Sequence, residues 1–213
     1  MMKQTTFIRE YFLLNMNPIV RSLVLSDIIW RSSVGFLAPI FALFIADFIE
    51  GGNAEVVGVS ITIYLFTKSI FQIPFATLID RIRGEADDFW FMFIGSLIGA
   101  LLPLCYLFIR TPMELYITQF VYGIAAAASF PSFMALFTRH IDKNKEGSDW
   151  GIYFTLTDFS AAIAATVGGI TAVHLGYRPL IVIVTAVGVL GTCFLLPIRS
   201  FIQTKKKDQI HQS

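Results

Sequence analysis

Four ionisable side chains, Asp27, Arg31, Lys68 and Asp158, fall in stretches that are otherwise almost wholly apolar. A charge at the centre of a bilayer costs roughly 2.5–3.5 kcal/mol on insertion scales, so each must face protein or water. Asp27 and Arg31 are four residues apart and share a helix face, where they can pair. Ser60, Tyr64, Lys68 and Gln72 recur every fourth residue and draw a polar stripe along a greasy helix. Such a stripe faces a watery cavity or a partner helix. At about 1.5 Å per residue, Arg31, Lys68 and Asp158 reach a similar depth on three helices. Two readings stand: a site for a charged solute, or a charge network that holds a bundle together. Asp158 shares its face with Ala162, Ala165 and Gly169, small enough for another helix to approach closely. A carboxylate there suits ion coupling, and equally a plain ion pair. Elsewhere Gln119, Tyr122, Gly123, Ala126 and Ser129 share a small, partly polar face.

Enzyme chemistry lacks its parts. There is no GxSxG serine with a partner histidine and no HExxH helix. His140 and His174 fall near opposite helix ends and cannot share a metal. Cys105 and Cys193 both lie in apolar segments, where they are expected as buried small hydrophobes rather than a disulfide. The sequence therefore predicts no enzyme, no metal and no cofactor. A net charge of +1 gives no bulk basic character for nucleic acid.

The elements that position these groups follow from hydropathy. Of 213 residues, 55% are hydrophobic and 15% charged, against about 25% charged in soluble domains. A spanning helix needs about 20 apolar residues. Six such segments are predicted, from about Pro18 to Ile49, Ala54 to Ile79, Phe89 to Ile109, Pro112 to Phe137, Trp150 to Val173 and Pro179 to Ile198. Gly51-Gly52-Asn53, Arg110-Thr111-Pro112 and Gly176-Tyr177-Arg178-Pro179 punctuate them. Pro39, Pro74 and Pro131 are expected to break the hydrogen-bond ladders of their helices, a break that membranes tolerate and that often marks flexing or binding segments. Gly95 and Gly99 are expected to form a packing face. Residues 1–17 read as a cytoplasmic N-terminal segment without a cleaved leader, 18–201 as the membrane domain and 202–213 as a basic cytoplasmic tail.

One set of loops and ends holds Lys3, Arg9, Arg21, Arg81, Arg83, Arg139, Lys143, Lys145, Arg199, Lys205, Lys206 and Lys207; the other holds Arg110 and Arg178. The positive-inside rule then places both termini in the cytoplasm of a multi-pass protein of the plasma (inner) membrane. Trp90 and Trp150 fall at the inner interface, where indoles collect.

Between the second and third segments stands Asp80-Arg81-Ile82-Arg83-Gly84. It resembles the loop signature GxxxDRxGR[RK] of the major facilitator superfamily, with Ala76 at the first glycine and Arg83-Gly84 in reversed order. Phe130-Pro131-Ser132, Gly168-Gly169 and Gly176-Tyr177-Arg178 are similar to later family elements, in the right order from about Pro18 to Ile198. Gln119 stands where the family's fourth helix carries an Arg before a Gly, and Ala164-Ala165 replaces a Gly-Pro pair; both weaken a proton-coupling or drug-antiporter reading. The resemblance implies an all-α integral membrane fold, six helices like one half of a twelve-helix transporter. It implies a cavity lined by the first and fourth helices, with the second and fifth facing the other half. Asp80, Arg81 and Arg83 inherit the role of a conformational latch, with Arg139 as partner. Substrate or ion-coupling candidates are Asp27, Arg31, Tyr64, Lys68, Gln72, Gln119 and Asp158. The expected activity is alternating-access transport of a small polar or charged solute, with possible proton or ion coupling. The expected partner is a second copy, bringing Lys68 toward Asp158 across the interface, or another six-helix half. A non-transporting or hetero-partnering subunit with a structural charge network stays open.

Overall fold

In the computed structural model, residues 16–82 and 84–201 are described. Arg83, most of the N-terminal segment and the basic tail lie outside the described residues. Among those described the chain is helical, and six helices are long and apolar enough to cross a membrane. The spans are Pro18–Phe48, Ala54–Arg81, Ala86–Leu107, Pro112–His140, Glu146–Leu175 and Tyr177–Phe201. They run alternately up and down. The ends of the first and last spans mark the terminal end of the bundle; the opposite end is called the far end.

Local chemistry sets the boundaries. The first four N–H groups of a helix lack intrahelical partners, and side-chain oxygens satisfy them. The Asn17 side chain accepts from Ile19 N at 2.9 Å, and the Asn53 side chain accepts from Glu55 N and Val56 N. Thr111 and Glu114 close a reciprocal capping box on the fourth span. At Gly176 the backbone takes φ +84°, a left-handed conformation that lets the fifth span turn into the sixth. Asp80 and Arg81 belong to the last turn of the second span, so the charged turn is shorter than the sequence suggested.

The prolines behave unequally. A proline lacks an N–H and crowds the preceding turn. At Pro39 the first span gives way to a 3₁₀ turn, Ala38–Ile40. Pro74 and Pro131 instead lie inside continuous helices, where each removes one donor from the ladder as expected. Their turns keep the helical path despite the missing donor, as membrane helices tolerate.

Packing is asymmetric. The second span lies along the fourth, and the first along the fifth and sixth. The third packs on the fourth and sixth. Close approach depends on small residues: a Cβ on Gly95 would meet Ala125 O at 2.7 Å, and one on Gly99 would meet Trp30 and Tyr122 at 3.3 Å. The predicted packing face is thus present, and it serves the fourth and first spans. One apolar core near the terminal end includes Leu23, Phe89, Leu136 and Phe137. A second, near the far end, includes Phe44, Ile45, Leu115 and Leu180. Asp27, Arg31, Lys68 and Asp158, on the first, second and fifth spans, line the space between them.

The expectation for the cysteines needs correction: both are free, but Cys105 is only half-buried and Cys193 is exposed. The sixth span is apolar on every side, so burial cannot be read from its composition.

Candidate functional site

A cleft of about 440 Å³ opens between the first, second, fourth and fifth spans. Five predicted residues line it: Asp27, Arg31, Tyr64, Lys68 and Asp158. The common depth inferred from helix rise therefore corresponds to a shared space.

Asp27 and Arg31 do pair. Arg31 Nε donates to Asp27 Oδ2 at 2.7 Å. The same oxygen accepts from Tyr153 Oη at 2.7 Å, and Arg31 Nη2 donates to Tyr153 Oη at 3.1 Å. Two of these bonds tie the first span to the fifth, and the third closes the pair within the first span. Tyr153 is 1% exposed and packs among Phe133, Phe137 and Trp150. Sequence reasoning missed it, because Trp150, Tyr153 and Phe154 look alike as interfacial aromatics. The available signal was stoichiometric: a guanidinium has five donors, so one carboxylate four residues away leaves donors to satisfy.

Lys68 and Asp158 differ from that pair. Lys68 Nζ lies 4.6 Å from the centroid of the Phe130 ring, a cation–π contact. Neither residue belongs to any of the ion pairs among the described residues. Asp158 is exposed on the fifth span and Lys68 half-buried on the second. Tyr64 meets Tyr122 across the cleft with ring centroids 5.2 Å apart.

Two candidates sit elsewhere. Gln119 is 5% exposed and donates from Nε2 to Tyr106 Oη at 3.2 Å, between the fourth and third spans. Gln72 is half-buried and outside the cleft lining. At the other end of the polar stripe, Ser60 is fully buried and bonds Val57 O. The stripe thus presents only Tyr64 and Lys68 to the cleft. On the fourth span Tyr122, Ala126 and Ser129 line it. Gly123 instead receives the second span, with Tyr64 O 2.8 Å from where a Cβ would stand.

The small face of the fifth span is also divided. Contact with the first span uses Ala161, Ala164 and Gly168; a Cβ on Gly168 would lie 2.0 Å from Phe36 O. Next to it, a Cβ on Gly169 would meet nothing within 4 Å. At Gly169, the face it shares with Asp158, Ala162 and Ala165 therefore has no close neighbour among the described residues.

At the terminal end Asp80 and Arg81 are exposed. Arg139, expected beside Asp80, is bonded to Asp88 on the third span. His140 Nε2 lies 3.5 Å from Glu85 Oε1, and its Nδ1 donates to Leu136 O at 2.9 Å. Arg199 covers Trp90 at 5.4 Å. The third, fourth and sixth spans are thus fastened at this end. Among the described residues no cluster of side chains could hold a metal ion.

Comparison with known proteins agrees with this architecture. The chain is 22% identical over 186 residues to the multidrug resistance protein MdtG of Klebsiella pneumoniae, covering 87% of this chain and 45% of that protein. It is 23% identical over 142 residues to the uncharacterized transporter YybO of Bacillus subtilis, covering 67% of this chain and 32% of that one. It spans less than half the length of either relative. The family model described as Major Facilitator Superfamily matches residues 22–211. With six apolar spans around a charged cleft, and that match over most of its length, the chain belongs to the major facilitator superfamily.

Proposed function

We propose that this chain is one six-helix half of a secondary transporter, moving a small polar or charged solute by alternating access. The cleft supports this reading. Asp158 and Lys68 are lodged in apolar helices and open toward a side that the chain itself does not cover. Polar groups facing lipid are costly, so a second six-helix bundle must complete the wall. A second copy related by a two-fold axis along the membrane normal is the economical source. The outward faces of the second and fifth spans, with Phe66 and Ile73 on one and Phe159 and Ile163 on the other, would then meet their counterparts. Asp27 or Asp158 would serve as a coupling carboxylate for a proton or other ion. The charge asymmetry of the ends supports a terminal end on the cytoplasmic side of an inner membrane. Asp80 and Arg81 lie there as latch residues that engage and release during rocking.

Native mass spectrometry in lipid nanodiscs tests the assembly. A dimer is expected, with cysteine pairs crosslinking the second span of one copy to the fifth of the other. A monomer with no such crosslinks rejects the homodimer. The three-bond closure of Asp27, Arg31 and Tyr153 favours a second reading, in which the charges are structural. Lys68→Met separates the two: under the transporter reading, flux into proteoliposomes falls while yield and folding persist. Lost expression supports the structural reading.

A further inference from the structure

We infer that the cleft is built for a zwitterion: a small solute whose carboxylate meets Lys68 and whose ammonium meets Asp158. The inference rests on the cleft being a solute site, and it names the class of solute.

The argument is one of uncommitted charge. Two acidic and two basic residues line the cleft, Asp27, Asp158, Arg31 and Lys68, and their formal charges cancel. Arg31 and Asp27 already satisfy each other, with Tyr153 closing the set. Lys68 and Asp158 stand on different spans, and no ion pair joins them to each other or to another described residue. A monoanion would pair Lys68 and leave Asp158 alone. A monocation would do the reverse. A charge left unpaired in a cleft between apolar membrane helices is costly, so either choice leaves the cost half met. A solute carrying both charges meets both.

The walls fit the same class. Phe130 lies beneath Lys68 Nζ, and Tyr64 faces Tyr122, so the Lys68 side of the cleft is aromatic. Rings give a solute body apolar contact without adding charge. The volume, about 440 Å³, lies within the range of about 300–1,000 Å³ usual for small-ligand pockets.

The test uses three probes with one body and different charge: phenylalanine, 3-phenylpropanoate and phenethylamine, at neutral pH. Binding to the full chain in nanodiscs is read by quenching of tryptophan fluorescence, since Trp30 lines the cleft. Phenylalanine is expected to bind at least tenfold more tightly than either singly charged probe. Lys68→Met should weaken phenylalanine and phenylpropanoate at least tenfold and spare phenethylamine; Asp158→Asn should spare phenylpropanoate and weaken the other two. A singly charged probe that binds as well as phenylalanine overturns the proposal, as does binding of none of the three. Variants that abolish a dimer without changing probe preference also overturn it, since Lys68 and Asp158 would then pair between copies. The wild-type ranking decides the matter if a variant fails to fold. Counterflow in proteoliposomes separates this proposal from the transporter reading. Selective exchange of a singly charged probe keeps transport and rejects the zwitterion. Selective zwitterion binding without exchange does the opposite.

Discussion

Along the seam between the first and fifth spans, and at the mouth between the second and fifth, the chain uses the same residue types to opposite ends. At the seam an acid, a base and a hydroxyl close on one another as Asp27, Arg31 and Tyr153. Small residues there are filled from across, Gly168 by Phe36 and Gly35 by Ala161. At the mouth, Lys68 and Asp158 have no ion pair, and Gly58 and Gly169 face open space. Charge and smallness therefore carry no fixed meaning in this bundle. What decides their role is whether the opposing surface belongs to the same chain.

The largest test of that contrast is an acid at each place. Asp27→Leu strands Arg31 without its carboxylate; the pair is half-exposed and partly screened, so the expected loss is about 1.5–3 kcal/mol, the worth of a hydrogen bond to a charged group. Asp158→Leu removes a carboxylate that joins no ion pair among the described residues and is expected to leave monomer stability within about 0.5 kcal/mol. Unfolding in mixed micelles measures both; equal losses would erase the distinction between seam and mouth.

Adjacent glycines give the next contrast. Gly168→Val drives a side chain into the Phe36 carbonyl, and overpacking of this kind costs about 1–3 kcal/mol. Gly169→Val points into open space, so folding of the isolated chain should shift by about 0.5 kcal/mol or less. If a second bundle covers that face, Gly169→Val weakens assembly instead, and the monomer fraction in nanodiscs reports it.

A smaller effect is expected from Tyr153→Phe. It keeps the aromatic packing and removes the hydroxyl shared by Asp27 and Arg31. Hydrogen bonds between membrane helices are worth about 0.6 kcal/mol on average and up to about 1.7. Thermal unfolding should fall within that range; no change would mean that the hydroxyl adds nothing to the Asp27–Arg31 pair. Smallest in stability is Lys68→Met, expected within about 0.5 kcal/mol, although it should remove most solute flux.

What could be read in advance was what depends on near neighbours in sequence. Hydropathy places all six spans, and a spacing of four pairs Asp27 with Arg31. Helix rise brings Arg31, Lys68 and Asp158 to one level. The rotation of each helix about its axis depends on tertiary packing, and there the sequence was silent. Gln119 and Tyr122 sit on one predicted face, yet Gln119 turns to Tyr106 while Tyr122 enters the cleft. Arg139 could have reached either Asp80 or Asp88, and only the docking of the third span on the fourth selects Asp88. Pro39, Pro74 and Pro131 are the same residue, and only the first coincides with a change of helix type.

The local spacing of Asp27 and Arg31 also bears on how the protein is made. Their bond lies within one helix, whereas Tyr153 is 126 residues beyond Asp27. At about 5–20 residues per second, the ribosome needs roughly 6–25 s to cover that interval. During it the nascent first span can hold its acid and base as a matched couple, without waiting for the fifth. The order of synthesis thus agrees with the order of need: the charges are neutralised as the first helix enters the bilayer, and the tyrosine arrives later to fix where that helix docks.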